Sequence, residues 1–266
     1  MIQSATATHL VAEHYGLSGE VHPLPSYIDF NFKLQTAAGP AYVIKFANPA
    51  SDVAILELEN AAMNHLAEQT LHFSHPMLLN SAQGQEIVAV VDESNDRKRY
   101  HMRVISWLEG ELYADITPQT AALHESLGTL LANSAIAFAN FEHPAAYRRM
   151  KWDLAQLADL EPLLTLYEDK KKRTLLTHHF NDFCRVALPA LRDCPKQIIH
   201  NDANDYNLLT TTIDGHTTCT GLIDFGDMVY SYRVCDLAVA MAYALFGQKD
   251  VPAAAQAIVK GYEQQL

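Results

Sequence analysis

Basic residues are scarce in this chain: 19 Lys and Arg stand against 31 Asp and Glu, a formal net charge of −12. That balance argues against nucleic acid or an anionic membrane as the main partner, and it favours solubility and the attraction of a cationic substrate. Cysteine is scarce too. Cys184, Cys194, Cys219 and Cys235 form no CxxC and no short metal spacing, which speaks against a cysteine metal site and fits reduced thiols in a cytoplasm. No apolar run has the length of a membrane span; the longest candidate, Leu237 to Phe246, is too short and follows Asp236. The opening MIQSATATHLVAEHYGL has neither the basic start nor the apolar core of a signal peptide. Long polar or Gly/Ser tracts and internal repeats are absent as well. The expectation is a soluble cytoplasmic protein with no nucleic-acid or membrane partner. At 266 residues and 49% apolar composition, the chain can bury a sizeable core in one large domain or two lobes.

Periodicity divides the chain in two. Ala5 to Tyr15 has helical spacing and ends at Gly16. Phe30 to Gln35 alternates as a strand, Ala37-Ala38-Gly39-Pro40 makes a turn, and Ala41 to Phe46 is a second strand. Asp52 to Gln69 reads as a helix. Strands follow at Glu86 to Val91 and Tyr100 to Ile105, with a polar turn from Asp92 to Arg99 between them. This order describes a small sheet packed by one helix. After Trp107-Leu108-Glu109-Gly110 the pattern becomes helical, at Thr117 to Phe138, Leu154 to Leu166 and Phe180 to Leu191, with Pro118 just inside the first. The basic run Lys170 to Arg173 reads as a solvated face between two helices. Short strands return at Ile198-Ile199 and Gly221-Leu222-Ile223, and helix resumes from Asp236. The spacing predicts an α+β, bilobal chain: a β-rich lobe over 1–105 and a helical lobe over 106–266, with the boundary at Ser106 to Glu109.

One stretch carries chemistry. In IIHNDANDYNLLTTTIDGHTTCTGLIDFGD, Asp202 and Asn207 lie five residues apart, and Asp224 follows a turn-rich gap and the apolar run Gly221-Leu222-Ile223. Phosphoryl transfer needs such a set: one carboxylate to orient the attacking hydroxyl, and two oxygen ligands to hold Mg²⁺ on nucleotide phosphates. Asp202, Asn204, Asp205 and Asn207 are also turn formers, but His200 before them and Ile-Asp-Phe-Gly after them favour the kinase reading. Lys45, inside an apolar strand, is costly to bury without anionic partners, which phosphates and a helix glutamate would supply. Glu57 and Glu59 point to different faces of the following helix, so only one can meet Lys45; Glu59 is favoured. His200 reads as a brace for the loop rather than a base. The paired histidines His72 and His75, or His178 and His179, lack a Cys/Asp/Glu set and are not read as metal ligands. Asp227 supports the metal, meets a substrate amine or caps a turn. Asp205 adds to the acid near the chemistry, and Trp152, Tyr230 and Tyr232 either wall an ammonium or pack in the core.

Through these motifs the chain resembles the aminoglycoside phosphotransferase family, a branch of the protein-kinase-like fold, over nearly its whole length. It looks most like the branch of hydroxylysine kinases and of kinase domains fused to class III aminotransferases. The likeness rests on His200-Asn201-Asp202 with Asn204-Asp205 and Asn207, and on Ile223-Asp224-Phe225-Gly226-Asp227-Met228. Further matches are Leu24-Pro25-Ser26-Tyr27 with Asn31-Phe32, Val43-Ile44-Lys45, and Arg103 through Gly110. The resemblance implies a bilobal fold with an interlobe active site. Asp202 then matches the catalytic aspartate, Asn207 and Asp224 the Mg²⁺ ligands, Lys45 the lysine on the α/β-phosphates, and Glu59 its helix partner. Ser26 to Asn31, Tyr27 included, matches the loop over the phosphates, and Arg103 to Trp107, with Ile105, the hinge whose backbone meets adenine. Asn201 stands where the family has glycine, a place where asparagine tolerates unusual backbone angles. Family members run on past Gly261-Tyr262-Glu263, so part of the substrate side of the second lobe is expected to be missing. The implied activity is transfer of the γ-phosphate of ATP or GTP to a hydroxyl of an amine-bearing small molecule such as hydroxylysine. Asp205, Asp227, Trp152 and Tyr230 are candidates for the substrate side. The alternatives are an aminoglycoside phosphotransferase and a nucleotide-binding pseudokinase.

Overall fold

Alternation along the first strands decides which side chains face which helix. In the computed structural model, which describes residues 2–93 and 97–266, the chain divides into two units, Met1–Thr70 with Ser74–Glu109, and Leu71–Phe73 with Gly110–Leu266. The first unit begins with α1 (Ser4–Tyr15), closed by Gly16 at φ 64°, whose N–H returns to the Ala12 carbonyl. Three antiparallel strands follow, β1 (Gly19–Leu24), β2 (Phe30–Thr36) and β3 (Ala41–Ala47). Next comes α2 (Val53–Ala67), whose Asp52 cap accepts the Ala54 N–H, and then β4 (Leu78–Leu79), β5 (Val88–Asp92) and β6 (Lys98–Ser106). The sheet runs β1-β2-β3-β6-β4, with β5 also paired to β6.

Phe32, Leu34, Ile44, Phe46, Tyr100, Met102 and Val104 share one core with Ala7, Leu10 and Val11 of α1. Residues at the intervening positions, Lys45 and Arg103 among them, lie on the opposite face, where Arg103 bonds to α2. The sheet is thus flanked by two helices rather than the one expected. Strand β1 escaped sequence reading because His22 and Pro23 break its alternation. As an edge strand it tolerates a proline, opposite Phe32. The expected polar turn from Asp92 to Arg99 lies partly outside the described residues.

The second unit opens with β7 (Glu111–Leu112) and a 3-10 turn (Tyr113–Asp115), then α3 (Ala121–Ala137). Pro118 is not inside this helix: the Thr120 hydroxyl caps the Leu123 N–H, and the helix starts after it. Leu154–Leu166 forms successive 3-10 turns instead of the expected α-helix. Pro162 in its middle lacks a donor and crowds the preceding turn. Asp169, accepting the Lys171 and Lys172 N–H groups, starts α4 (Lys170–Asp182) ten residues earlier than expected, so the basic run is its first turn rather than a linker face. A π-helical stretch (Phe183–Ala187) leads into α5 (Leu188–Leu191). Among the described residues none from Leu154 to Lys196 is buried.

Four strands and two helices complete the unit: β8 (Lys196–Ile199), β9 (Leu208–Ile213), β10 (His216–Leu222), β11 (Val229–Tyr232), α6 (Val234–Ala244) and α7 (Val251–Glu263). They form the sheets β10-β9-β7 and β11-β8, both antiparallel. Helices α3 and α7 meet backbone to backbone. A Cβ on Gly128 would stand 1.9 Å from the Ile258 carbonyl oxygen, and one on Gly261 would stand 1.9 Å from that of Glu125. Among the described residues no helix is long and apolar enough to cross a membrane.

Candidate active site

In the first unit, Lys45 on β3 lies opposite Asn31 on β2 and Arg103 on β6. Two cations placed side by side on one sheet face repel each other, and Glu59 of α2 lies between them. Its Oε2 is 2.8 Å from Arg103 Nη2 and 3.6 Å from Lys45 Nζ, with all three residues buried. Glu57 is exposed, so Glu59 is the partner of Lys45. Arg103 also donates through Nη1 to the Leu56 carbonyl (3.3 Å) and to Asn60 Oδ1 (3.0 Å), one helical turn gripped by one guanidinium. Arg103, expected at the start of an adenine hinge, sits within β6, with its backbone paired to β3 and its side chain bonded to α2. Ile105 lies nearer the strand end, opposite Val43.

Ser26 and Tyr27 are in the exposed link between β1 and β2, Tyr27 being 90% exposed. Asn31 Oδ1 is buried with no hydrogen-bond partner. Asp29 accepts the Asn48 N–H at 2.9 Å, and burial pushes its carboxyl up from the ordinary value.

In the second unit, the turn after β8 is built around Asp236, at the start of α6. Its two carboxylate oxygens accept the backbone N–H groups of His200 (3.0 Å) and Asn201 (2.6 Å). Asn201 takes φ 67°, a left-handed conformation that asparagine adopts more readily than most residues, which is how it stands where glycine was expected. His200 Nδ1 accepts the Asp202 N–H (3.3 Å), which leaves Nε2 to donate to the Ile223 carbonyl (3.0 Å). Its ring also packs edge-on against Phe225. His200 therefore ties β8 to the end of β10. Asp236 went unrecognised in the sequence; the one signal was a carboxylate opening an otherwise apolar helix.

Asp202 accepts from Asn204 Nδ2 (2.9 Å) and from Asn207 Nδ2 (3.0 Å). Burial raises its carboxyl above the usual value, and these hydrogen bonds pull partly the other way. Asn204 also forms an Asx turn, its Oδ1 accepting the Tyr206 N–H, so turn formation and site geometry coexist in one loop. Asn207 also donates to the Asp202 carbonyl (2.8 Å), leaving its Oδ1 to meet a cation. Asp224, at φ 64°, starts the 3-10 turn Phe225–Asp227 within electrostatic reach of Asp202. Asn207 and Asp224 are two hard oxygen donors of the kind that would suit a divalent cation such as Mg²⁺.

Burial raises the Asp227 carboxyl, with the Asp202 charge adding, while a hydrogen bond from the Trp152 indole lowers it. Arg148 donates to the Gly226 carbonyl (2.7 Å) and the Met228 carbonyl (3.0 Å), strapping the segment before Trp152 onto this turn. Tyr230 stacks on the exposed Tyr147 at 4.6 Å, and the Tyr147 hydroxyl donates to Glu142 (2.7 Å). Arg148 and Tyr147 carried no motif in the sequence. Asp205 has one buried carboxylate oxygen without a partner, and burial raises its carboxyl too. The first unit thus gathers Lys45, Glu59 and Arg103; the second gathers Asp202, Asn207 and Asn204, with Asp224, Asp227 and Trp152 around them.

Proteins similar to this chain carry kinase names. The chain is 25% identical to hydroxylysine kinase from Mus musculus, covering 97% of this chain and 73% of that protein. It is 27% identical to the one from Danio rerio, covering 98% and 76%. Among solved structures, an amicoumacin kinase in complex with AMP-PNP and Ca²⁺ superposes with a TM-score of 0.72 at 16% identity, covering 99% of this chain and 78% of that one. A microcompartment-associated aminopropanol kinase gives 0.66 at 17%, covering 98% and 81%. Residues 20–266 match the family described as phosphotransferase enzyme family, with the α+β kinase-like fold its members share, and the chain belongs to that family.

Proposed function

We propose that the protein transfers the γ-phosphoryl group of ATP or GTP to a hydroxyl of a small amine-bearing molecule, with 5-hydroxylysine the leading candidate. The observation that carries this reading is the half-buried Asp202, bonded to Asn207 in a loop hung from Asp236. Asp202 accepts the proton of the acceptor hydroxyl as its oxygen bonds to the γ-phosphorus. The bond from that phosphorus to the β–γ bridging oxygen breaks, and the electron pair leaves with the nucleoside diphosphate. Lys45, beside Glu59, meets the phosphates. Asn207 and Asp224 would hold Mg²⁺, which would offset phosphate charge. Ser26, Tyr27 and Asn31 cover the phosphates, and Ile105 lies toward the strand end that meets the base.

Support for an amine in the acceptor comes from the carboxylates Asp205 and Asp227, from the exposed Trp152 bonded to Asp227 and the half-buried Tyr230, and from the names of the hydroxylysine kinases. Asn201 in a glycine's place is one motive for the pseudokinase alternative; its left-handed backbone, held by Asp236, lets the loop keep its form. The test is ADP release from Mg·ATP with the purified chain against 5-hydroxylysine, 1-amino-2-propanol, ethanolamine and aminoglycosides. Turnover is expected with an amino alcohol. Turnover with aminoglycosides alone would move the assignment to an aminoglycoside phosphotransferase, and nucleotide binding without turnover on any acceptor would favour the pseudokinase.

A further inference from the structure

Glu59 is shared unequally. The same oxygen, Oε2, stands 2.8 Å from Arg103 and 3.6 Å from Lys45. The three side chains are 1%, 9% and 7% exposed for Arg103, Lys45 and Glu59 respectively, so water screens the trio little. In a plain lysine–glutamate pair the carboxylate offsets the lysine charge, and an approaching anion meets a neutral couple. Here a second cation makes the shorter contact with the carboxylate, and the trio sums to one positive charge. Arg103 is fixed in that part by its bonds to Leu56 and Asn60 on the same turn of α2. Asp29, a further carboxylate in electrostatic reach of all three, accepts the Asn48 N–H and, when ionised, lowers the local charge equally with or without Arg103.

We infer that Arg103 is a positioning residue that neutralises Glu59 so that the charge of Lys45 acts on a phosphate-bearing ligand instead of on its helix partner. This rests on the proposed role of Lys45 at the nucleotide phosphates. Its distinguishing feature is that charge, and not the shape of the guanidinium, governs anion affinity. A shape-based role would fail alike for any replacement of Arg103; a charge-based role fails for the neutral replacement and recovers when Glu59 is neutralised with it.

The test measures binding of inorganic tripolyphosphate, ATP and adenosine to the full chain by calorimetry or ligand-observed NMR. Arg103→Gln, whose amide still donates to Glu59, is expected to weaken tripolyphosphate and ATP by about tenfold or more while leaving adenosine unchanged. Arg103→Lys and the double variant Arg103→Gln/Glu59→Gln, each keeping one net positive charge, are expected to bind tripolyphosphate within about threefold of the wild type. Should Arg103→Gln fail to fold, these two variants against the wild type still decide. A double variant as weak as Arg103→Gln, loss in Arg103→Lys, or equal loss of adenosine and tripolyphosphate overturns the inference. So does a wild type that binds no tripolyphosphate. A wild type that binds tripolyphosphate but neither ATP nor GTP would sink the proposed function and leave this inference standing.

Discussion

Asp202→Ala is expected to lower the rate of phosphoryl transfer by about 10²–10⁴-fold while nucleotide binding persists. The asymmetry follows from the bonds on this side chain. Its half-buried carboxylate, the proposed base, accepts from Asn204 and Asn207, while the loop itself hangs from Asp236 through backbone N–H groups that the substitution does not touch. Asp202→Asn should behave alike in rate, because an amide cannot take the acceptor's proton. The wild-type pH profile gives a second reading. A base must be ionised to work, so turnover falls as pH drops through its pKa. Since burial raises that pKa from 3.8, the acid limb should lie above that of an exposed aspartate, and Asp202→Asn should remove it from the residual rate. Full turnover by the alanine variant, in a single-turnover assay with Mg·ATP, would remove Asp202 from the chemistry.

The largest expected loss of stability comes from a methyl group. Gly128→Ala places a Cβ 1.9 Å from the Ile258 carbonyl oxygen and 2.7 Å from the Tyr262 nitrogen, both backbone atoms of α7 that no rotamer change can move. The helices must part, which is expected to cost about 3 kcal/mol in urea denaturation, at the upper end of ordinary overpacking. Gly261→Ala meets the Glu125 carbonyl at the same distance from the other side and should cost a similar amount. Because both report on one close approach, the double variant should lose less than the sum: once the helices have separated for one Cβ, the second has room. A loss under about 0.5 kcal/mol for either single variant, the range of ordinary surface changes, would mean that the two backbones do not touch in solution.

What could be read from the sequence was what is local or periodic. The β2–β3 hairpin is visible because Phe30, Phe32 and Leu34 alternate toward α1, and the Asp202 loop because its carboxylate and amides fall within one turn. The hidden parts depend on partners distant in the chain. Arg103 read as the start of a hinge, since nothing near it in sequence says that a turn of α2 will take its guanidinium. Asp236 is 34 residues past Asp202 (236 − 202) and becomes part of the loop only when α6 folds beneath β8. Gly128 and Gly261 mean nothing singly; each is required by the backbone of the other's helix. The turns of Leu154–Leu166 were misread because apolar spacing alone did not weigh Pro162.

The run from Leu154 to Lys196, where no residue is fully buried, has a thermodynamic consequence. Burial is the main force resisting local opening, so this stretch depends on helix caps such as Asp169 and on the partly buried Leu154 and Leu191 against the β8–β11 pair. Its amides should exchange hydrogen for deuterium long before those of β8 and α6, through openings that leave the rest of the fold intact. Measured residue by residue, the native-state protection profile should step upward at Gln197, where burial resumes. The Asp202 loop then follows directly on the edge between weakly and strongly protected backbone.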